Sequence, residues 1–366
     1  MKTIQVQSRN GKYSILIGDG LLGEAGSHIK KVSAESRVMI VTQPPVARNY
    51  LQPLIASLRK SGFDCETHHL PDGETAKSQR EMFHLYERLL KGGFERRDML
   101  VALGGGVVGD LAGFVAATYL RGVPYVQIGT TLLAQVDSSI GGKTAVNLQE
   151  GKNLIGAFNP PILVISDTGV LKSLPPRELR ASMGEVVKYG IIRSPRLFSM
   201  LEKSEALFAK KDAFFFESVI AESAKIKAGI VSRDEFETKK ERMILNLGHT
   251  FAHGFEQVTG YKRFLHGEAV GIGIAAAAKL AAALKICPAS VEKRIVNILV
   301  RYGLPVHIKG CGLKAASILD AMMRDKKKQH GRLRFILPSA IGKVVVAENV
   351  SAAKIGQILK SLGAVS

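Results

Sequence analysis

The chain has no tryptophan and only three cysteines, Cys65, Cys287 and Cys311, which form no paired spacing. An odd count without a CxxC pair points to a reducing compartment and to a fold held by its core rather than by disulfides. Aromatic residues are scarce at 6%, and Phe and Tyr are not interleaved with the basic residues. A stacking platform for nucleic acid is therefore not expected. Met1-Lys2-Thr3-Ile4-Gln5 has no apolar signal core. The longest apolar stretch, residues 269–287, is alanine-rich and interrupted by Lys279 and Lys285. It reads as a buried soluble helix, not a membrane span. A cytoplasmic protein is expected, with no membrane partner. There is no internal repeat and no low-complexity tract.

What is present is the balance of a globular protein, 46% apolar and 23% charged over 366 residues. That length suggests about two domains. Acidic residues are under-represented: 51 Lys and Arg face 32 Asp and Glu, a net charge of +19. The basic residues are spread along the whole chain, densest at Lys326-Lys327-Lys328. Such an excess describes partners, not fold. A small polyanionic substrate accounts for it better than nucleic acid or a membrane surface.

Hydrophobic periodicity divides the chain. Asn10-Gly11 between two β-patterned runs predicts an opening hairpin. Residues 37–41, 63–70, 98–103, 125–128 and 162–165 read as strands. Residues 46–58, 75–90 and 107–120 read as helices; in 75–90, Met82, Phe83, Tyr86, Leu89 and Leu90 are expected inward. Strands alternating with helices predict a mostly parallel sheet covered on both faces. Beyond Pro175-Pro176 the texture is helical: 177–191, 214–231, 245–259, 268–284 and 290–302, with one late strand at 334–337. The expected architecture is α/β plus α: a Rossmann-like dinucleotide-binding domain over 1–175, then a mostly helical metal- and substrate-binding domain over 176–366, with the active site in the cleft between them.

Three signals carry chemistry. Gly104-Gly105-Gly106-Val107-Val108-Gly109-Asp110 follows a strand and opens a helix, the context in which glycines let a backbone approach a pyrophosphate. A standard Rossmann unit has an acidic residue about 20 positions later; here Tyr125-Val126-Gln127-Ile128 offers none, so either a ribose is held from elsewhere, for instance by Asp72 or Glu74, or the site is not a standard Rossmann site. Second, His249, His253 and His266 fall close together, and His249 and His253 are i and i+4 on one helix face. Spacing alone would let both ligate a metal, with Glu185 as a carboxylate in an otherwise apolar helix. Third, Lys143, Lys152, Lys188, Lys227 and Arg242 sit at breaks in the pattern, in or beside glycine loops such as Gly141-Gly142-Lys143 and Gly151-Lys152-Asn153, and could bind phosphate and carboxylate.

These segments resemble the 3-dehydroquinate synthases. The resemblance is carried in order by Asp72-Gly73-Glu74 with Lys77, the turn at 104–110, Tyr119-Leu120-Arg121-Gly122-Val123-Pro124, the segment from Thr130 to Thr144, and Gly151-Lys152-Asn153-Leu154-Ile155-Gly156. It continues through Gly184-Glu185-Val186-Val187-Lys188-Tyr189-Gly190, Leu245-Asn246-Leu247-Gly248-His249-Thr250-Phe251 and His266-Gly267-Glu268. It implies a redox-neutral, NAD-dependent lyase of the shikimate pathway acting on 3-deoxy-D-arabino-heptulosonate 7-phosphate. The C5 hydroxyl is oxidised, phosphate leaves by β-elimination, the hydride returns, the ring opens, and an intramolecular aldol step closes the carbocycle.

The resemblance also implies roles. A divalent metal, zinc or cobalt, would sit on Glu185, His249 and His266. His253 would then not ligate; it, Lys143, Lys188 and Asp137 would be catalytic. Arg121, Lys152, Asn153, Lys227, Arg242, Asn246 and Lys327 would bind substrate, with Arg121 reaching a neighbouring subunit in a homodimer. Asp72, Gly73, Glu74, Lys77, Gly105, Gly106, Val107, Asp110, Thr130, Thr131, Leu133, Lys143, Lys152, Val170 and Ser173 would contact NAD. Two positions depart from the family pattern: Gln43-Pro44-Pro45 stands where an Asp or Asn usually holds the adenosine ribose, and Met183-Gly184 precedes the metal glutamate in place of the commoner small apolar residue and Ala. Related cyclases acting on sedoheptulose 7-phosphate, and metal-dependent polyol-phosphate dehydrogenases, are the competing readings.

Overall fold

Residues 1–35, 37–327 and 333–365 are described by a computed structural model, with the side chains of 325–327 outside that description. The strands are β1 (Lys2–Ser8), β2 (Gly11–Gly18), β3 (Arg37–Thr42), β4 (Asp64–His69), β5 (Met99–Gly104), β6 (Tyr125–Gly129), β7 (Lys143–Leu148), β8 (Gly151–Phe158), β9 (Leu163–Asp167), β10 (Arg334–Ala340) and β11 (Lys343–Glu348). Seven of them make one sheet in the order β1-β2-β9-β6-β5-β3-β4. The β1–β2 hairpin is antiparallel and every other pair in that sheet is parallel. β7 with β8, and β10 with β11, form separate antiparallel hairpins.

Period-2 alternation builds two cores. Val38, Ile40, Met99, Val101 and Leu103 face one side, under α1 (Ala25–Lys30) and α2 (Pro44–Lys60). Met39, Val41, Leu100 and Ala102 face the other, under α3 (Gln79–Lys91) and α4 (Gly106–Thr118). In α3 the buried stripe is Met82, Leu85 and Leu89, whereas Phe83 and Leu90 are exposed. The expectation that Phe83 and Leu90 point inward is corrected: they sit one residue, about 100°, off the i, i+3, i+7 line.

The remaining helices are α5 (Pro176–Ile192), α6 (Pro195–Lys203), α7 (Glu205–Ala209), α8 (Ala213–Arg233), α9 (His249–Val258), α10 (His266–Ala283), α11 (Ala289–Arg301), α12 (Ala315–Lys327) and α13 (Ala352–Ser361). The chain forms two compact units. One comprises Met1–Leu174 with Lys211–Phe236; the other comprises Pro175–Lys210 with Glu237–Ser366. Helix α8 thus groups with the sheet, although it follows the proline pair that the sequence marks as a boundary. The reason is packing: α8 lies along β1 and buries Phe215, Phe216, Val219 and Ile220. The Ser232 hydroxyl accepts from the Gln7 backbone N–H at 3.0 Å, and Glu235 accepts from that of Arg9 at 2.7 Å.

In the second unit two glycines let helix backbones touch. A Cβ on Gly267 of α10 would lie 1.8 Å from the Ala181 carbonyl oxygen of α5. A Cβ on Gly273 would lie 2.1 Å from the carbonyl oxygen of Gly248, which caps α9. Helix α10 is thereby held against α5 on one side and the start of α9 on the other. Among the described residues, no helix is long and apolar enough to cross a membrane.

Candidate active site and metal centre

In the first unit the glycine turn lies at the carboxyl edge of the sheet. β5 sits between β6, to which α4 leads, and β3, whose own helix α2 leads the opposite way to β4. A reversal of this kind is a topological switch point, where open α/β sheets bind dinucleotides. Gly104-Gly105 leaves β5 into α4 there, and Thr42-Gln43 leaves β3 beside it. This also explains the missing downstream carboxylate. The strand next to the glycine strand, where a Rossmann ribose contact belongs, precedes it in sequence. Gln43 occupies that place, and its side-chain amide donates to the carbonyl oxygens of Pro71 at 2.7 Å and Gly73 at 3.3 Å. It ties the Asp72-Gly73-Glu74 loop to the end of β3.

The residues around this turn fit a dinucleotide on two counts. A Cβ on Gly105 would press on Thr131 at 3.1 Å, and one on Gly109 would meet the Gln127 amide oxygen at 2.8 Å. Helix α4 is thus seated tightly, and a helix N-terminus after a glycine turn favours an anion. The buried hydroxyls of Thr42 and Thr130 have no hydrogen-bond partner among the described residues. Of the other residues assigned to the dinucleotide, Val107 and Leu133 are half-buried, Val170 is buried, and the Ser173 hydroxyl lies 2.5 Å from that of Tyr50. Gly106 opens α4.

Lys77, Asp110 and Asn153 form a knot, the buried Lys77 ammonium donating to the half-buried Asp110 carboxylate and to the exposed Asn153 side-chain oxygen. Burial pushes the Asp110 carboxyl up, against the downward pull of Lys77. Asn147 ties this knot to the acidic loop: its amide donates to Glu74 at 2.9 Å and its oxygen accepts from the Asn153 backbone at 3.0 Å. Lys152 pairs with Glu74 at 3.4 Å. The segment at Gly151-Lys152-Asn153 is the start of β8 and not the loop its glycine suggests; Asn153 tolerates the positive φ of 57° that bends it. Replacing Lys77 by methionine leaves a largely buried carboxylate without its cation. The unfolding midpoint should fall by roughly 5–10 °C, with part of the loss recovered on also replacing Asp110 by leucine. An unchanged melting curve would show the knot to be energetically idle.

Asp137 lies in a π-helical turn, Ala134–Ser138, a geometry frequent at functional sites. Lys227 of α8 donates to its carboxylate and to its backbone oxygen, both at 2.7 Å. Lys143 starts β7 and is exposed. Arg121 is exposed, with Leu120, Arg121 and Gly122 all at positive φ.

The second unit holds the histidines. One ligand atom each from Glu185, His249 and His266 lies within 4.8 Å of the other two. His249 Nε2 is 3.5 Å and His266 Nε2 3.8 Å from the same Glu185 oxygen. His253 is outside this group, although its ring lies 5.7 Å from that of His249. Glu185 is 0% exposed; the Lys188 ammonium pairs with one of its carboxylate oxygens, and the other faces the two imidazoles. Burial, and then Lys188, holds His249 well below the usual imidazole range, in the neutral form that ligates metals. A desolvated carboxylate facing two imidazoles is a donor set suited to zinc or cobalt, with positions left open for a substrate. Lys188 and Arg242 are buried, and Asn246 is exposed at the end of the turn Arg242–Asn246. Lys327 ends α12, and its side chain lies outside the described residues.

Comparison with known proteins identifies the family. Family models described as 3-dehydroquinate synthase N-terminal and 3-dehydroquinate synthase C-terminal match residues 67–181 and 182–328. A 3-dehydroquinate synthase of Paracoccus denitrificans is 45% identical over 98% of both chains, and one of Crocosphaera subtropica is 42% identical over the same shares. The chain belongs to the 3-dehydroquinate synthase family. Among solved structures, 2-epi-5-epi-valiolone synthase of Streptomyces hygroscopicus subsp. jinggangensis, with NAD+ and Zn2+ bound, is 27% identical with a TM-score of 0.86 over 96% of both chains. A 2-deoxy-scyllo-inosose synthase complexed with carbaglucose-6-phosphate, NAD+ and Co2+ is 26% identical with a TM-score of 0.87, over 98% of this chain and 99% of that one.

Both departures from the 3-dehydroquinate synthase pattern acquire a structural account. Gln43 braces the acidic loop. Gly184 faces Gly267, whose carbonyl oxygen would lie 2.5 Å from a Cβ at 184. Two residues in contact with the candidate site escaped the sequence. Asn147 links the acidic loop to Asn153, and nothing in its neighbourhood signals this. Glu256 meets His266 through space; its signal was there, seven residues after His249 on the same helix face.

Proposed function

We propose that the protein converts 3-deoxy-D-arabino-heptulosonate 7-phosphate into 3-dehydroquinate and phosphate. What supports this most is full-length identity of 42–45% with 3-dehydroquinate synthases, against 26–27% with the sister cyclases. When bound, NAD+ supplies hydride acceptance and return at C5, and a divalent ion supplies Lewis acidity to the substrate oxygens. The protein's own groups do the rest. Asp72, Glu74, Lys77, Asp110, Thr130 and Thr131 hold the dinucleotide. Glu185, His249 and His266 hold the ion. Lys143, Lys152, Lys188, Lys227, Arg242, Asn153 and Asn246 bind carboxylate, hydroxyls and phosphate. His253 takes the proton from the C5 hydroxyl as hydride leaves, and Asp137 is kept in place by Lys227. The assembly is read as a homodimer on the resemblance, with Arg121 serving the neighbouring subunit.

The test is phosphate release from the heptulosonate phosphate with catalytic NAD+, before and after chelation. Release that stops with chelator, returns with Zn2+ or Co2+ and accumulates no NADH is the expected result. No release, with turnover of sedoheptulose 7-phosphate instead, would move the protein to the sister cyclases.

A further inference from the structure

We infer that Glu256 is a positioning residue for the metal centre, fixing the tautomer and aim of His266. The inference rests on the metal reading proposed above. Glu256 Oε1 lies 3.1 Å from His266 Nδ1, so the ring N–H at Nδ1 donates to the carboxylate. That leaves Nε2 as the bare nitrogen, and Nε2 is the atom turned toward Glu185. His249 is set in the same sense by a neutral acceptor, its Nδ1 lying 3.3 Å from the Leu247 carbonyl oxygen.

Both settings come from one stretch of chain. His249 opens α9, and Glu256 is two turns further along the same face. Helix α9 therefore supplies one imidazole and orients the other, which arrives on α10. Glu256 is only 6% exposed. A carboxylate in that position is costly to bury unless its partners repay it, and His266 is such a partner. The charge matters as well as the geometry. Glu185 and Lys188 offset one another, so Glu256 adds the negative charge that favours a divalent cation and makes His266 the more basic ligand.

Metal-free protein would be titrated with Co2+ and Zn2+ against a chromophoric chelator, for wild type, Glu256→Ala, Glu256→Gln and His266→Ala. Glu256→Ala should weaken metal binding about 10–100-fold. Glu256→Gln keeps an acceptor of the same shape without the charge, and should weaken it less, by about threefold or more. NAD+ affinity should stay within about twofold in both. A purely structural role would lower the melting temperature of the metal-free protein and leave the metal dissociation constants alone, which would overturn the inference. If Glu256→Ala does not fold, the isosteric Glu256→Gln decides it: an unchanged dissociation constant refutes the inference. His266→Ala separates the two levels. Unchanged metal binding there defeats the metal reading itself; weakened binding there, with both Glu256 variants normal, defeats only the role of Glu256.

Discussion

Replacing His266 by alanine is expected to lower kcat/KM about a thousandfold or more while leaving NAD+ binding nearly intact. Lewis-acid stabilisation of charge on a substrate oxygen is worth several kcal/mol, and each 1.4 kcal/mol is tenfold in rate. His266 contributes one of the ligand atoms that converge in the second unit. Removing it leaves Glu185 and His249, a donor pair too poor to retain zinc tightly. The residues assigned to the dinucleotide belong to the first unit, so their loss is not expected. Metal content by elemental analysis and NAD+ affinity by calorimetry separate these effects. A variant that keeps full zinc and full turnover would show the ligand assignment to be wrong.

Gly267→Ala should be the most destabilising single methyl that the second unit can receive beside the site. The added carbon would lie 1.8 Å from a backbone carbonyl oxygen on α5, and backbone cannot swing aside as a side chain can. Overpacking costs about 1–3 kcal/mol where neighbours can shift, and more where they cannot. A fall in melting temperature of roughly 6–12 °C follows for a domain of this size. Metal affinity should fall too, because the same contact sets the distance between Glu185 on α5 and His266 on α10. A normal melting curve with normal metal affinity would mean that the helices separate freely and that the close approach is not what holds the ligands together.

The α/β half was legible because its central strands are buried on both faces and read as short apolar runs, while α2 and α3 carry an apolar stripe of period 3.6. The β7–β8 hairpin was not, since Leu154 and Ile155 are both exposed and the half-solvated ribbon shows no alternation. Phe83 and Leu90 were apolar yet outward, beyond what composition can tell. In the site, i and i+4 spacing put His249 and His253 forward as a pair, and the choice of His266 over His253 came from the family resemblance. His266 comes from another helix, and its nearness depends on glycine contacts that only packing reveals. Glu256 was overlooked because a glutamate in a helix ordinarily belongs to a solvated face.

The sheet unit does not end where its last strand does. The chain leaves it at Leu174, builds Pro175–Lys210 elsewhere, and returns with Lys211–Phe236. On a ribosome, β1 is made first and then waits for α8 through most of the unit's synthesis. Vectorial folding cannot complete the dinucleotide half before part of the other half exists. Closing so long an excursion costs little in entropy, because that cost grows only with the logarithm of length. It does impose an order: the Lys227 that clasps Asp137 is among the last groups to arrive.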